Sequence, residues 1–300
     1  MPFELVLIDR VLDGADRFRL ELANGVLSVS LNGRPIGPAQ IASGWYWKAA
    51  SFRTLGAENN VSRQLTMVNE ITQMQGAIWS AYPDTAWLSS PTNLWRAERK
   101  LDQLITAAKV GFTTPRTLVG SDWDDIGETL LAEAPSFIVK MARGVLADQN
   151  TVKGMYTSRL DREHFEDLSG RSVPFSGFFQ PFVDKGREWR ITVVNDEVFA
   201  AAIYTDADSK DDWRRHQMGS GVRFAAEPAP DGVGALCATF LRHMNLGYGA
   251  FDLIETPDGE VVFLECNPSG QFAWLEERLE LPISGAVAAA LMEHGVVSAA

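Results

Sequence analysis

Asp252, Glu265 and Asn267 are the side chains in this sequence whose types and spacing point most directly to chemistry. They lie in or just beyond two runs that are otherwise apolar, AFDLIE (250–255) and VVFLEC (261–266), so the acids are expected to be at least partly buried. Between the runs lies Thr256-Pro257-Asp258-Gly259-Glu260, where Pro, Asp and Gly each favour a tight turn. With Asp258 and Gly259 at the turn centre, Asp252 stands directly opposite Glu265, and the two-residue period of a strand puts Asn267 on the Glu265 face. A Pro-Asp-Gly turn with a glycine bulge would instead shift the pairing by one residue and part the carboxylates, unless a second bulge restores it. Facing carboxylates repel unless a cation lies between them. Two carboxylates and an amide oxygen are hard donors that suit Mg²⁺ bridging nucleotide phosphates; an exposed hairpin decorated with acids is the plain alternative.

Other residues could serve the same chemistry. Lys140 ends the apolar run SFIVK, which sets its ammonium at a strand terminus beside Gly144, in reach of a phosphate or simply of water. Lys100 flanks the apolar stripe of a helix, where most lysines only lay their stems along the surface. Glu188, Arg190 and Thr192 fall on one strand face, while Trp189, Ile191 and Val193 fall on the other. An arginine on that polar face suits a transferring phosphoryl group or a salt bridge to a neighbouring strand. Arg214, Arg215 and Arg223 border the glycine-rich MGSGV, forming either a basic patch for an acidic substrate or a solvated loop. The loop 142–154 carries glycines near both ends without Walker spacing, so closure over phosphates and plain connection fit it about equally. His164, His216, His243 and His294 show no ligand spacing.

A framework must position the hairpin. ELVLI (4–8) reads as a short buried strand, and VLSVSL (26–31) as a strand entering a tight turn at Asn32-Gly33. Residues 62–79 place Leu65, Val68, Ile71, Met74 and Ile78 at helical spacing, which predicts one buried stripe. The segment 91–115 reads as a helix capped by Asn93, with an apolar face of Leu101, Leu104, Ile105 and Ala108, closed by Gly111 and Pro115. Downstream, short strands alternate with helices: TLVG, an acidic helix near 122–133, SFIVK, GFFQPFV, and two strands around Asn195-Asp196. A helix over 233–244 leads into the hairpin, and ISGAVAAALMEHG forms a last helix stopped by Gly295. The class is mixed α+β with mostly antiparallel sheets.

The arrangement of Asp252, Glu265 and Asn267 resembles the metal site of the ATP-grasp superfamily, and FLECNPSGQFAWLE (263–276) resembles the C-terminal signature of microviridin-type (graspetide) ATP-grasp ligases, which macrocyclise ribosomal peptides. GWYWKAASF (44–52) is similar to that family's Trp-Tyr-Arg-Arg-Pro stretch, from which Trp47, Lys48 and Ala49 depart. SSPTNLWRAERKLDQL, GFTTPRTLV, FIVK, GMYTSRL, FFQPFVDKGREWRITVVNDEVFAA and DDWRR follow in the family's order, so the likeness spans most of residues 40–290. It implies an ATP-grasp fold: two α+β lobes, 96–183 and 184–300, sandwiching ATP, with an N-terminal α/β domain over 1–95. It implies that Asp252, Glu265 and Asn267 hold two Mg²⁺ ions, and that Lys100 and Lys140 contact the ATP phosphates. The backbone around Gln180, Phe182 and Val183 would cradle adenine, with Asp184 at the ribose. Pro181 stands where relatives often carry Glu, which removes one donor and one side-chain partner for adenine. Arg190 would lie near the transferred phosphate, with Lys140 and Arg214 as further catalytic groups.

Composition narrows the partners. With 46% hydrophobic and 22% charged residues the chain is globular rather than disordered. Its 27 basic and 39 acidic residues give a net charge of −12, which argues against nucleic acid yet leaves ATP open where Mg²⁺ and local cations neutralise the phosphates. Cys237 and Cys266 lack metal-ligand spacing, which points to a reducing compartment. Glu4 and Asp9 break any apolar export segment, and no run approaches the roughly 18 apolar residues of a membrane span, so no membrane partner and a cytoplasmic location are expected. The expected function is an ATP-dependent ligase that activates Asp or Glu side chains of a ribosomal precursor peptide, with leader and acidic core. It would close ester links to Ser or Thr, or amide links to Lys, and the resemblance implies a homodimer. Two alternatives are a ligase joining amino acids or small carboxylates and amines, and a non-catalytic nucleotide-binding module.

Overall fold

The structure, a computed structural model, describes residues 3–7, 10–11, 14–47, 60–140, 145–148, 151–154, 158–168, 177–205 and 221–298, and the structural statements below refer to these. Near the N-terminus, β1 (Phe18–Ala23), β2 (Val26–Leu31) and β3 (Arg34–Pro35) form an antiparallel sheet. Asn32 and Gly33 turn the chain between β2 and β3 with φ of 52° and 83°, the positive values that Asn-Gly tolerates. ELVLI does not form the expected buried strand: residues 4–7 are irregular, Leu5 and Leu7 are exposed, and Ile8 lies outside the described residues. No described strand pairs with this run, and Leu7 O instead accepts from Val11 N at 3.1 Å.

α1 (Val61–Ser80) starts at Asn60, whose side chain accepts from Arg63 N. Its expected stripe is only partly covered: Ile71 is buried, Val68, Met74 and Ile78 are half-buried, and the Leu65 side chain is outside the description. The single helix expected over 91–115 is two, α2 (Pro91–Ala97) and α3 (Lys100–Val110). The cap is Ser90, whose hydroxyl accepts from Asn93 N at 3.3 Å, so Asn93 lies inside the first turn. Gly111 closes α3 at φ 106°, as expected. The buried face of α3 is rotated from the expected one. Leu101 and Ile105 are each 46% exposed and Ala108 is exposed, while Gln103, Leu104, Thr106 and Ala107 are buried. Burying Gln103 is tolerable because both ends of its amide are hydrogen-bonded to backbone.

β4 (Leu118–Gly120), β5 (Ser136–Lys140), β8 (Ser158–Asp161) and β9 (Gly177–Pro181) form an antiparallel sheet in the order β4-β9-β5-β8, beside a separate hairpin of β6 (Val145–Asp148) and β7 (Thr151–Gly154). α4 (Trp123–Leu131) and α5 (Arg162–Leu168) cover one face of that sheet through Ile126, Leu130 and Phe165, packed on Phe137, Val139 and Phe179. Strand alternation therefore turns Ile138, Lys140 and Gln180 to the opposite face.

β10 (Arg187–Val194), β11 (Glu197–Thr205), β12 (Val222–Ala226), β13 (Tyr248–Glu255) and β14 (Val261–Asn267) form the largest antiparallel sheet, ordered β12-β11-β10-β13-β14. One face packs on α3 and α6 (Val233–Met244) through Trp189, Ile191, Val193, Phe251, Leu253 and Phe263. On the other face, α7 (Ala273–Leu279) and α8 (Ile283–Ser298) cover Val194, Phe199 and Tyr248. Farther along the same face come Thr192, Arg190 and, across from Arg190, Asp252. α8 continues through Gly295 instead of stopping there; a glycine inside a helix costs about 1 kcal/mol without ending it.

Candidate metal and nucleotide site

The hairpin solves its register in two steps. Next to the turn, Glu255 pairs with Val261, Ile254 with Val262 and Leu253 with Phe263. That is the shifted pairing of a bulged Pro-Asp-Gly turn, with Gly259 at φ 90° and Thr256 N bonded to Glu260 O at 2.9 Å. Leu264 is then an extra residue, and beyond it Asp252 faces Glu265, Phe251 faces Cys266 and Ala250 faces Asn267. The second bulge thus brings Asp252, Glu265 and Asn267 to one face of the sheet.

Each carboxylate has its own cation. Arg190 Nη1 donates to Asp252 Oδ1 at 2.7 Å from the neighbouring strand β10, and Lys100 Nζ donates to Glu265 Oε2 at 2.8 Å from the first residue of α3. Asn267 Nδ2 lies between them, 3.3 Å from Asp252 Oδ2 and 3.5 Å from Glu265 Oε1. Burial opposes the Arg190 charge, but the adjoining Asp252 carboxylate outweighs it and holds the guanidinium pKa above its ordinary value. Gly270 makes room for this arginine: a Cβ there would lie 2.8 Å from Arg190 Nη2 and 2.7 Å from Ala250 Cβ. The Gly270 carbonyl accepts from Tyr248 Oη at 2.6 Å and Trp47 Nε1 at 3.3 Å, and Trp47 stacks on Trp45. Arg190 Nε and Thr192 Oγ1 are buried with no partner among the described residues.

The donor set fits Mg²⁺. Among the described residues no three His, Cys, Asp or Glu side chains gather as a self-sufficient metal site. Two carboxylates with one amide are instead the partial set that Mg²⁺ accepts when phosphate oxygens and waters complete its octahedron.

The residues expected to hold the nucleotide lie on the central sheet and its exit. Lys140 ends β5 half-buried, on the same face as Gln180. Gln180 is 3% exposed; its Nε2 donates to Thr117 Oγ1 at 2.9 Å, and its Oε1 has no partner among the described residues. Phe182 N bonds to Ser136 O at 3.0 Å, and the Arg159 guanidinium sits 3.8 Å over the Phe182 ring. Val183 is half-buried and Asp184 exposed. Arg159, Phe182, Asp184, Lys185 and Pro257 line a cavity of about 300 Å³ between the central sheet and the hairpin turn. Lys185 Nζ donates to Glu188 Oε1 at 2.6 Å. Arg214 and Arg215 lie outside the described residues, whereas Arg223 stacks over Tyr204 at 3.9 Å. Residues 142–144 and 149–150 of the loop between β5 and β7 also lie outside them. Sequence reasoning missed Gln103, Gly270 and Lys185. For Gln103 a signal existed, since it lies three residues after Lys100 and therefore on the same side of the helix.

At the level of sequence, no family model and no curated protein matches the chain. Solved structures do. Macrocyclase MdnC bound with precursor peptide MdnA, from Microcystis aeruginosa MRC, superposes with a TM-score of 0.76 at 25% identity, over 95% of this chain and 89% of that one. Macrocyclase MdnB from the same organism gives a TM-score of 0.64 at 27% identity, over 92% of this chain and 86% of that one. The fold is also that of a Chryseobacterium gregarium RiPP-associated ATP-grasp ligase in complex with ADP and a leader and core peptide, with a TM-score of 0.75 at 23% identity over 93% and 85% of the two chains. The fold is that of the ATP-grasp ligases. Within that class the chain resembles the macrocyclases and ligases of ribosomal peptide maturation.

Proposed function

We propose that the chain is an ATP- and Mg²⁺-dependent ligase that activates Asp or Glu side chains of a ribosomal precursor peptide and joins them, within that peptide, to Ser or Thr as esters or to Lys as amides. The observation that carries this reading is the convergence of Asp252, Glu265 and Asn267 on one face, each carboxylate already matched by a cation. When bound, Mg²⁺ supplies charge neutralisation and alignment for in-line phosphoryl transfer. Asp252 and Glu265 would hold two ions, with Asn267 presenting its amide oxygen after half a turn of the side chain. Lys100 and Lys140 bind the ATP phosphates. The Gln180–Val183 backbone holds adenine, with the unpartnered Gln180 Oε1 as an acceptor for the exocyclic amine, and Asp184, which lines the cavity, meets the ribose.

The chemistry then runs in two steps. A peptide carboxylate oxygen attacks the γ-phosphorus of ATP, ADP leaves, and the carboxylate becomes an acyl phosphate. A hydroxyl or amine of the same peptide attacks the acyl carbon, phosphate leaves, and one proton is released. Arg190 stabilises charge on the group in transfer, and Arg214 with Arg223 draws the acidic core towards a chain whose net charge would otherwise repel it. Residues 1–95, 96–183 and 184–300 form the N-terminal domain and the two ATP-grasp lobes. Both cysteines are free and buried, which supports a cytoplasmic protein, and we place it there as a homodimer. No helix among the described residues is long and apolar enough to cross a membrane.

The test is to mix the protein with ATP, Mg²⁺ and precursor-like peptides bearing an acidic, Thr-, Ser- and Lys-containing tail. ADP release that depends on the peptide, with loss of one water from the peptide mass per ring, is expected. ADP release with free amino acids and an unchanged peptide mass would contradict the reading.

A further inference from the structure

β14 is the outer strand of its sheet, so alternate residues turn their N–H and C=O away from β13 and need another partner. Cys266 is such a residue, and it lies between Glu265 and Asn267. Gln103, 4% exposed on α3, meets both of its backbone groups: Oε1 accepts from Cys266 N at 2.9 Å and Nε2 donates to Cys266 O at 2.8 Å. The same Nε2 also donates to Ala97 O. For one residue, a side-chain amide stands in for a neighbouring strand. On the other side of the extra residue, Phe263 N donates to Thr113 O at 2.9 Å. The bulge at Leu264 is therefore bracketed by two clamps, one on α3 and one just after it. The same helix delivers Lys100 to Glu265.

We propose that Gln103 is a positioning residue of the metal site: by holding Cys266 from outside, it fixes the bulge at Leu264 and keeps Glu265 and Asn267 on the Asp252 face. A strand that slips by one residue sends every side chain to the opposite face, and the turn-proximal half of β14 already runs in the register that would do so. This inference rests on reading Asp252, Glu265 and Asn267 as Mg²⁺ ligands; Gln103 itself touches neither substrate nor metal.

The test titrates ADP into the full chain across a series of Mg²⁺ concentrations and, separately, in EDTA. Gln103→Leu and the more flexible Gln103→Met remove the amide, and Leu101→Ala, exposed on the same helix, serves as the control. Both Gln103 variants are expected to raise the half-saturating Mg²⁺ concentration about 10–100-fold, the usual effect of losing a residue that orients metal ligands, while ADP affinity in EDTA stays at the wild-type value. Leu101→Ala keeps the wild-type Mg²⁺ dependence. Faster hydrogen exchange at the Cys266 amide in the same variants would locate the effect. If wild type itself shows no Mg²⁺ dependence, the metal reading fails. If wild type shows it and the Gln103 variants lose only melting temperature, Gln103 is merely structural and the proposal is overturned. Should Gln103→Leu not fold, Gln103→Met decides by the same comparison.

Discussion

Removing Asp252 separates the cost of the site from its use. Arg190 and Asp252 have side chains only 9% and 11% exposed, and they meet at 2.7 Å. Among the described residues, the guanidinium reaches beyond Asp252 only the Gln271 carbonyl, at 3.4 Å, and Nε has no partner. Asp252→Ala therefore leaves a buried cation without its counter-charge, which costs about 3–5 kcal/mol. Replacing both partners with apolar residues of similar size, Asp252→Leu with Arg190→Met, removes the charge along with its desolvation and should bring stability back to within about 1 kcal/mol of wild type or above it. Urea unfolding with linear extrapolation reads both values. Both variants should lose peptide-dependent ADP release, because the pair sits in the candidate site. The reasoning is refuted if Asp252→Ala costs less than about 1 kcal/mol, or if the double variant is as unstable as the single one.

Other outcomes follow from single contacts. Gly270→Ala drives a Cβ to 2.7 Å from Ala250 Cβ and 2.8 Å from Arg190 Nη2. It should cost about 1–3 kcal/mol in urea unfolding and slow ADP release about 10²-fold by displacing the arginine. The hydrogen bonds of Arg187, and secondarily Trp189, hold the Glu255 carboxyl below its ordinary value of 4.5. Its contribution to stability is complete above that value and is lost as pH falls through the lower folded-state value, so Glu255→Gln should flatten the acid limb of a stability–pH profile. Cys237 and Cys266 are buried, and burial pushes both thiols up, so neither should react with an aromatic disulfide reagent at about pH 8 until the chain unfolds.

The chemistry of the hairpin was more legible in the sequence than its geometry. Acids set among Phe251, Leu253 and Phe263 announced a buried charged patch, and turn residues announced the reversal. Two compensating bulges could not be counted from residue types, because Leu264 looks like any other strand leucine; the open alternative of a bulged turn with a restoring second bulge is the one the structure adopts. Strands marked by short apolar runs and by the Asn195-Asp196 turn, such as β5, β9, β10 and β11, lie where the sequence puts them. Where tertiary partners override local pattern, the reading failed. The apolar Leu101 and Ile105 face outward because the opposite side of α3 has an edge strand to satisfy, and Gln103 does so where leucine cannot. Ser90, not Asn93, caps α2 one residue ahead of Pro91, a pairing of cap and N1 proline that residue types favour. Arg190 was placed on the correct strand face, but only the structure joins it to Asp252.

Manganese reports most directly on whether these side chains bind a divalent ion with nucleotide. Mn²⁺ replaces Mg²⁺ in oxygen sites, and its spin signal distinguishes bound from free ion. With ADP present, wild-type protein should bind Mn²⁺, and Asp252→Asn and Glu265→Gln should each abolish that binding while the fold persists. Equal Mn²⁺ binding in wild type and in both variants, or none in wild type with saturating ADP, would contradict a metal site at Asp252, Glu265 and Asn267.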